Sequence, residues 1–572
     1  MEKVEYNYFR PAQRLKRLLK KENRTVKLIF FYAVLNGIIA LTLPLGIQAI
    51  VNYILGGRVT SSWIILIVVV VAGVALSGIF QVMQVTYAEK LQQRIFANSS
   101  FEFAVRIPRL KISAFQNRYG PEMVNQFFDT VILQKGLAKL LIDYPIAALQ
   151  IFFGLLLISV YHPFFLFFSL VVTVVITLVL RYTGPAGIKS SYQESTEKYK
   201  IAHWLEELAR SMGTFKLAGI TELPLVRADK LILQYLKFRR SHFAVLIMQF
   251  KVMIAFKVLT MAALLITGSI LLIENQISLG QFVAAEIIII TIMNSIEKLI
   301  VGLENVYDVL TSLEKIGYVT DLPVESEDRL SFINGEKLGF DISLENVRFQ
   351  YPDADIPTVD GVNLEISSGE KVVITGPSGS GKSTLMQLLT GVYDNYEGRI
   401  AINDIPLSAL RLDILRFQMG DSLWQENIFK GTVRENITIG KPDVTDEDIW
   451  EALEAVSAVR AINRLDKGLD TKLMSEGLGM AKALLRKIIL ARSVVSSPKL
   501  LLLELESANL TLDEKEKFVN FLIGKPWTVL VVSHDGDLIR KFNNVICLEK
   551  GKVSIQSNFE TFKKSEYARY IR

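Results

Sequence analysis

The sequence Gly376-Pro377-Ser378-Gly379-Ser380-Gly381-Lys382-Ser383 has the pattern of a phosphate-binding loop. It follows the apolar run Lys371–Thr375 and precedes Thr384–Leu389, a stretch of helix-forming residues. A strand, a glycine-rich loop and a helix in this order are the context that the motif requires. The pattern therefore predicts a site that binds a nucleoside triphosphate.

The residues of this loop have separate expected tasks. Backbone amides and the N-terminus of the following helix are expected to cradle the phosphates, because both present unpaired N–H groups. Lys382 is expected to reach the β- and γ-phosphates, and the Ser383 hydroxyl is expected to hold Mg²⁺. The predicted nucleotide contacts in the loop are Gly376, Pro377, Ser378, Gly379, Ser380, Gly381, Lys382, Ser383 and Thr384.

Composition divides the chain into two parts. Of its 572 residues 50% are hydrophobic, and long apolar runs fill the first three hundred. The net charge of +6 is modest for this length, and it fits a membrane protein better than one that binds nucleic acid. The single cysteine, Cys547, excludes a disulfide framework and is interpreted as a buried core thiol. No cleavable signal peptide is apparent.

The first part is predicted to cross a membrane six times, with spans near the length of about 20 residues that a bilayer demands. Lys and Arg are concentrated in the N-terminus and in the connections 91–138 and 181–251, so both termini are expected to be cytoplasmic. This interpretation makes the chain a multi-pass protein of the cell or inner membrane, in contact with lipid. The predicted spans are Leu28–Ile50, Trp63–Val82, Pro145–Val160, Phe164–Leu180, Val252–Ile273 and Leu279–Val301.

Three smaller features of this part lead to expectations. Leu15, Leu18 and Leu19 among basic residues suggest an amphipathic helix at the membrane surface, with a solvated basic tail as the alternative. The cytoplasmic turns 119–124 and 208–213 are expected to form short helices. Within the spans, Glu286 lies about 12 Å deep and is a functional hypothesis, with a hydrated or protonated carboxyl group as the alternative. Lys257 is expected to snorkel to the interface.

The domain limits follow from these patterns. Residues 1–320 are predicted to form the membrane domain, and the polar segment 321–339 is predicted to be a linker. Residues 340–572 alternate strand-like and helix-like stretches, which indicates an α/β domain.

Several motifs resemble those of the ABC transporter ATPases, and the resemblance covers nearly the whole chain. Phe349-Gln350-Tyr351-Pro352 precedes the loop, and Gly431-Thr432-Val433-Arg434-Glu435-Asn436-Ile437 is similar to a phrase of the family. The resemblance implies that Tyr351 stacks on adenine. It also implies a half-transporter of the exporter type, with six spans and one P-loop nucleotide domain, that works as a dimer.

The resemblance places two further residues at the nucleotide. The family has a glutamine that senses Mg²⁺ before the Gly431 phrase, and counting leaves Trp424 or Gln425 at this place, with Gln425 favoured. Val531-Val532-Ser533-His534-Asp535 resembles the switch histidine loop of the family. His534 is therefore expected to bond the γ-phosphate, and Gln425 is expected to contact the metal.

The sequence departs from the family after the strand-like run Pro498–Glu504. Glu504 stands where the family has the aspartate that orients Mg²⁺, so a carboxylate is kept but displaced by one methylene group. Leu505 stands where the family has its catalytic glutamate, and leucine cannot accept a proton. Loss of a general base costs about 10²–10⁴-fold in rate. Glu506 follows and is a less favoured substitute.

A further departure concerns the signature loop, which in the family binds the γ-phosphate on the opposite subunit. Counting back from Leu490 places Met480-Ala481-Lys482-Ala483-Leu484 where the family reads Leu-Ser-Gly-Gly-Gln. Ala481 lacks the serine hydroxyl, and Lys482 and Ala483 add side chains where glycine allows close approach. Thr511 likewise replaces an acidic residue that the family usually has.

Together these features predict an ATP-binding half-subunit of an exporter that moves an unknown substrate out of the cytoplasm. Hydrolysis is expected to be weak or to depend on a partner. A second half-transporter, the same chain or another, is the expected partner, and a periplasmic adaptor is a further candidate. The alternative is a non-transporting, ATP-gated regulatory or scaffold subunit of a secretion assembly.

Overall fold

The computed structural model describes residues 9–56, 61–115, 120–161, 163–331, 338–352, 354–423, 428–505, 510–542 and 544–571. The chain forms two compact units. A helical unit comprises Met1–Arg109 and Asn117–Leu322, and an α/β unit comprises Leu110–Gln116 and Pro323–Arg572. The domain limits given above stay a prediction, and the structure adds that the short segment Leu110–Gln116 is grouped with the α/β unit.

The helical unit contains long helices joined by short turns. Its helices are α1 (Phe9–Lys21), α2 (Asn23–Ile39), α3 (Thr42–Leu55), α4 (Ser61–Arg106), α5 (Gly120–Asn125), α6 (Asp129–Tyr161), α7 (Pro163–Arg210), α8 (Met212–Leu217), α9 (Leu223–Ile273), α10 (Leu279–Val301) and α11 (Leu303–Thr320).

Among the described residues, six helical stretches are long and apolar enough to cross a membrane. Each predicted span lies mainly or wholly within one of them, and most stretches run on well beyond it. The 46 residues of α4 measure about 70 Å, more than twice the thickness of the hydrocarbon core. The six stretches are Asn23–Leu55, Ser61–Arg109, Met123–Tyr161, Leu170–Arg210, Leu223–Ile273 and Leu279–Thr320.

The first predicted span, Leu28–Ile50, is not one continuous helix. α2 ends at Ile39 and α3 begins at Thr42, whose hydroxyl donates a hydrogen bond of 2.7 Å to the Ile39 carbonyl. Pro44 explains the break, because it has no N–H to donate to the carbonyl four residues earlier.

Both predicted turn helices are present, but their limits were predicted with different accuracy. α5 matches the turn 119–124 closely. α8 begins at Met212, four residues after the start of the predicted turn 208–213. The shift arises because α7 continues through Arg210 before the chain turns at Ser211.

The N-terminal segment is a helix rather than a solvated tail. Leu15, Leu18 and Leu19 of α1 pack against a cluster of buried apolar residues from α2, α4, α6 and α11. Arg14 pairs with Glu314 of α11 and with Asp321. The helix is thus attached to the helical unit by both apolar contacts and charge.

Lys257 has a partner that the sequence analysis did not name. Its Nζ atom lies 3.0 Å from Oε2 of Glu297, and both side chains are about 40% exposed (40% and 38%). The expectation that Lys257 snorkels to the interface stays a prediction, and the packing of α9 against α10 adds an opposite charge within contact distance. Glu286 is half-buried on α10, and its role stays a prediction.

The α/β unit contains twelve strands and nine helices among its described residues. They are β1 (Ile342–Phe349), β2 (Val359–Ile366), β3 (Lys371–Thr375), α12 (Lys382–Leu389), β4 (Glu397–Ile402), β5 (Ile405–Pro406), α13 (Leu412–Phe417), β6 (Met419–Asp421), β7 (Gly431–Thr432), α14 (Val433–Thr438), α15 (Asp446–Ala455), α16 (Val459–Asn463), β8 (Lys472–Leu473), α17 (Lys482–Val494), β9 (Leu500–Glu504), α18 (Leu512–Ile523), β10 (Thr528–Val532), α19 (Gly536–Ile539), β11 (Asn544–Glu549), β12 (Lys552–Ser557) and α20 (Phe559–Lys563).

Two sheets organise this unit. The antiparallel sheet has the order β2-β1-β4-β5, and the larger sheet has the order β12-β11-β3-β10-β9-β6. Within the larger sheet β6, β9, β10, β3 and β11 are parallel, and their apolar runs are buried on both faces as parallel strands require. Two small strands, β7 and β8, form a separate pair.

Two local predictions concern this unit. Cys547 is buried in β11, as expected, and burial raises the pKa of its thiol to about 11, which keeps it protonated. Two residues of the predicted linker contact this unit, since Leu330 forms a bridge with Leu410 and Glu325 lies 2.8 Å from Arg416.

Candidate functional site

The glycine loop joins β3 to α12, as the sequence predicted. Gly376 and Gly381 have φ angles of 134° and 96°. A Cβ atom at Gly376 would collide with the carbonyl oxygen of Leu548, and one at Gly381 with that of Thr358. Only glycine fits at these two positions, because both the backbone conformation and the space exclude a side chain.

Lys382 is the first residue of α12 and its side chain lies inside the loop. Its Nζ atom donates hydrogen bonds of 2.8 Å to the carbonyl oxygens of Gly376 and Pro377. The residue is 8% exposed, so the ammonium group is held at the centre of the loop rather than in solvent. The next residue, Ser383, is exposed.

The loop fits a phosphate group. Its cation lies beside the N-terminus of α12, where backbone N–H groups and the helix dipole favour negative charge. Ser378 and Gly379 are exposed at its surface, and Ser380, Gly381 and Thr384 are buried beneath it. The positions of the predicted contacts are therefore compatible with a bound phosphate chain, and their roles stay a prediction.

Tyr351 lies next to α12. Its hydroxyl is 3.1 Å from Oγ1 of Thr384, and its ring packs edge-on against those of Phe349 and Tyr393, with centroids 4.9 Å and 5.6 Å away. Burial raises the pKa of the neighbouring Tyr393 to about 12, so this aromatic group stays uncharged at neutral pH. The arrangement places a half-buried aromatic ring beside the loop.

Strand register brings the remaining predicted residues to the same edge of the sheet. Val532 of β10 is paired with Ile374 of β3 on one side and with Glu504 of β9 on the other. The loop, Glu504 and His534 therefore all lie at or just beyond the carboxyl ends of three adjacent parallel strands. In open α/β sheets this edge is where ligands bind.

His534 is held by two partners that the sequence analysis did not name. Its Nδ1 atom lies 3.0 Å from Oγ1 of Thr375 and 3.1 Å from the carbonyl oxygen of Tyr570. Thr375 is the last residue of β3, and Tyr570 belongs to the 3₁₀ segment Glu566–Tyr570 near the C-terminus. Thr375 could have been found from the sequence, because it is a polar residue at the end of an apolar strand. The partner in Tyr570 is a backbone carbonyl, which every residue has, so the sequence gives no indication of it.

Glu504 ends β9 and is half-buried. Its backbone N–H lies 3.2 Å from the hydroxyl of Ser422, a residue that sequence reasoning missed. Ser422 follows β6 directly, so it connects the end of β6 to the end of β9. Trp424, Gln425 and Glu506 lie outside the described residues, and their predicted roles are untested.

Leu505 continues the alternation of β9 into the core. Leu501, Leu503 and Leu505 belong to one buried cluster, and Leu500 and Leu502 belong to the other. The Leu505 side chain is only 1% exposed. The residue after Glu504 is thus part of the apolar core, as the leucine side chain would favour.

The signature-like segment opens α17, as the sequence predicted. Ala481 is the N-cap residue and provides no side-chain hydrogen bond, and Ala481, Lys482 and Ala483 are exposed. Met480 and Leu484 pack against the core of the unit. The helix N-terminus is therefore open at its surface but lacks the hydroxyl that serine would supply.

Comparisons with known families agree with this architecture. The family model for the ABC transporter transmembrane region matches residues 26–296, and the model for the ABC transporter domain matches residues 359–504. The chain therefore has the two domains that define an ABC transporter. More narrowly, a membrane domain followed by one nucleotide-binding domain in a single chain is the architecture of an exporter half-transporter.

Individual relatives cover different parts of the chain. The exotoxin translocation ATP-binding protein PaxB of Pasteurella aerogenes is 25% identical over 96% of this chain and 77% of its own length. The alpha-hemolysin translocation ATP-binding protein HlyB of Escherichia coli O157:H7 is 29% identical over 50% of this chain. In that match the chain spans only 41% of HlyB.

A third relative and a solved structure complete the comparison. The putative ABC transporter ATP-binding protein MG015 of Mycoplasma genitalium is 32% identical over 46% of this chain and 44% of its own length. A bacterial Atm1-family ABC exporter with ATP bound has the same fold, with a TM-score of 0.83 over 96% of this chain and 97% of that chain. The sequence identity to that structure is 19%.

Proposed function

We propose that the chain is an ATP-binding half-subunit of a dimeric exporter, with weak or partner-dependent hydrolysis. The observation that carries the proposal is the geometry at the ends of β3 and β9. A complete phosphate loop with a buried lysine lies at the first, and a buried leucine follows Glu504 at the second. The chain can therefore hold a nucleotide at a site where, among the described residues, the position after Glu504 supplies no general base.

Binding is assigned to the loop and to Tyr351. The Lys382 ammonium group moves from the loop carbonyls to the β- and γ-phosphates, and the loop amides bond the phosphate oxygens. Tyr351 stacks on the adenine, and His534 bonds the γ-phosphate. Ser383 and Glu504, together with Gln425, would hold Mg²⁺ through their oxygen atoms, which are the ligands that this cation prefers.

Weak hydrolysis follows from two features that act together. Leu505 cannot orient or deprotonate a water molecule, and its burial leaves no room for a solvent molecule at that side chain. In the family each site takes its phosphate loop from one subunit and its signature from the other. A homodimer of this chain would therefore combine a missing base with a signature that lacks its serine and glycines.

Export as the direction of transport is supported by the relatives. The names of PaxB and HlyB describe toxin translocation, and both match this chain. With cytoplasmic termini, a second half-transporter completes the membrane pathway, and a periplasmic adaptor is a further candidate partner. A regulatory, non-transporting role is the second candidate, because the buried Leu505 removes a residue on which turnover depends.

The test uses the full chain reconstituted in lipid nanodiscs. We expect Mg²⁺-ATP to bind, and we expect phosphate release about 10²–10⁴-fold slower than with an intact base. Lys382→Ala is expected to weaken ATP binding at least about tenfold, whereas Lys472→Ala, which removes an exposed lysine of β8, should leave it unchanged.

Two outcomes would overturn parts of this proposal. Rapid phosphate release that Lys382→Ala abolishes would show that a base exists and that the site is an active ATPase. Absence of ATP binding in the wild-type protein would refute the nucleotide site itself. ATP-dependent movement of a substrate across the membrane of sealed vesicles that contain the full chain would exclude the regulatory alternative.

A further inference from the structure

The helical unit contains an apolar cavity of about 600 Å³. It is lined by residues of α1, α2, α6, α7, α10 and α11, among them Leu15, Leu19, Phe30, Tyr144, Ala148 and Leu180. The hydroxyl of Tyr144 donates a 3.0 Å hydrogen bond to the Leu299 carbonyl, so the one polar group among these side chains is already satisfied. A volume in the usual range of ligand sites and an apolar wall favour an aliphatic ligand.

The N-terminal helix α1 forms one wall of this cavity and carries charge on its other side. Leu15 and Leu19 line the cavity, whereas the residues around them, Lys16, Arg17, Lys20 and Lys21, are exposed. In the part of the chain that the structure describes, none of these four cations pairs with a carboxylate. The helix α1 thus contributes both to the wall of the apolar cavity and to a basic surface beside it.

A separate ion-pair arrangement fixes this wall. Arg14 of α1 contacts both Glu314 and Asp321, so these two carboxylates are occupied by one guanidinium group. They are consequently not the partners of the four exposed cations. Leu180 of α7 also lines the cavity and is followed by Arg181, which is also exposed.

We propose that the cavity holds an acyl chain of an anionic phospholipid whose phosphate group lies against the basic side of α1. Basic clusters on amphipathic helices attract anionic lipids, and each Lys or Arg near the surface contributes about fivefold in affinity. The apolar cavity would bind the lipid tail, and the adjoining cations would bind the negatively charged headgroup. The proposal does not depend on ATP hydrolysis or on the transported substrate.

The first test measures lipid selectivity of the full chain. Purified protein in detergent is equilibrated with equal amounts of phosphatidylglycerol and phosphatidylcholine that carry the same acyl chains, and retained lipid is counted by native mass spectrometry. We expect at least about tenfold preference for phosphatidylglycerol, since several cations contribute. Equal retention of both lipids by the wild-type protein would overturn the proposal.

The second test removes the cations. The variant Lys16→Gln/Arg17→Gln/Lys20→Gln/Lys21→Gln should lose at least about tenfold of this preference. A control, Lys216→Gln/Lys230→Gln/Lys237→Gln/Arg240→Gln, removes three lysines and one arginine that are likewise exposed on the same unit. It should keep the preference, and a loss as large as that of the first variant would refute the assignment to α1.

The third test fills the cavity. Ala148→Trp should prevent retention of phosphatidylglycerol, whereas Val160→Trp, at a side chain of α6 that is 77% exposed, should not. If Ala148→Trp does not give a monodisperse protein, Ala148→Leu makes the same comparison with partial filling. Undiminished retention by a folded Ala148 variant would show that the acyl chain lies elsewhere and would overturn the proposed site.

Discussion

Nδ1 of His534 lies 3.0 Å from Oγ1 of Thr375, across the gap between the ends of β10 and β3. The carbonyl oxygen of Tyr570 lies 3.1 Å from the same nitrogen. The imidazole is therefore positioned by the strand that leads into the phosphate loop and by the C-terminal segment of the domain. This arrangement fixes the ring beside the loop.

The first prediction concerns recognition of the γ-phosphate. His534→Ala should reduce the preference for ATP over ADP about 10–150-fold, because a hydrogen bond to a charged group is worth about 1.5–3 kcal/mol. Affinities for both nucleotides can be measured by equilibrium binding, without reference to turnover. Asp537→Asn changes a neighbouring exposed residue and should leave the preference unchanged. An unaltered ratio in His534→Ala would remove His534 from the site.

The second prediction treats Leu505 as a core residue. Its side chain is 1% exposed, and truncation to alanine should lower the free energy of unfolding by about 2–5 kcal/mol. Nucleotide turnover per folded molecule should not fall, because leucine supplies no catalytic group. Thermal unfolding of the full chain and phosphate release measure the two effects separately. Turnover that collapses while stability stays constant would assign Leu505 a role at the nucleotide.

Much of this architecture could be predicted from the sequence, because local signals are strong. The glycine loop, the apolar strand before it and the long apolar spans each depend on residues that are close in sequence. The contact of His534 with Tyr570 could not be predicted, since it joins a side chain to a backbone carbonyl 36 residues later. The pairing of Lys257 with Glu297 also depends on how two helices pack, and charge patterns alone do not indicate it.

The third prediction concerns the turn that carries His534. Nζ of Lys515 on α18 lies 2.9 Å from Oδ2 of Asp535, the N-cap residue of α19. Burial alone would raise the pKa of Asp535, but the hydrogen bonds from Lys515 and from backbone amides outweigh it and lower the pKa. A lowered folded pKa means that the pair stabilises the domain above the usual aspartate pKa and stops doing so as pH falls through the folded value.

Lys515→Met should therefore lower the free energy of unfolding by about 0.5–1 kcal/mol at pH 7, as for other partly exposed pairs. The difference from wild type should shrink as the pH falls below about 4, because Asp535 is then increasingly protonated. Denaturation curves of the full chain at several pH values measure both effects. A difference that persists unchanged at low pH would indicate lost packing rather than lost charge.

The fourth prediction concerns Tyr351 and separates its ring from its hydroxyl. Tyr351→Ala should weaken ATP binding about 5–150-fold, since stacking of a base on an aromatic ring is worth about 1–3 kcal/mol. Tyr351→Phe keeps the ring and removes only the hydroxyl with its contacts to Thr384 and Gln387, so it should bind ATP nearly as well as wild type. Equal weakening by both variants would mean that the hydroxyl contact, and not stacking, is what matters.

The fifth prediction concerns the intramembrane pair of Lys257 and Glu297. An unpaired charge within a membrane span is costly, so each single substitution to methionine should lower the thermal stability of the full chain in lipid. The double variant Lys257→Met/Glu297→Met removes both charges and should recover most of the loss, as replacement of paired charges by apolar residues often does. The coupling energy of this cycle should be about 0.5–3 kcal/mol. Purely additive losses would show that the two groups, although 3.0 Å apart, act on stability independently.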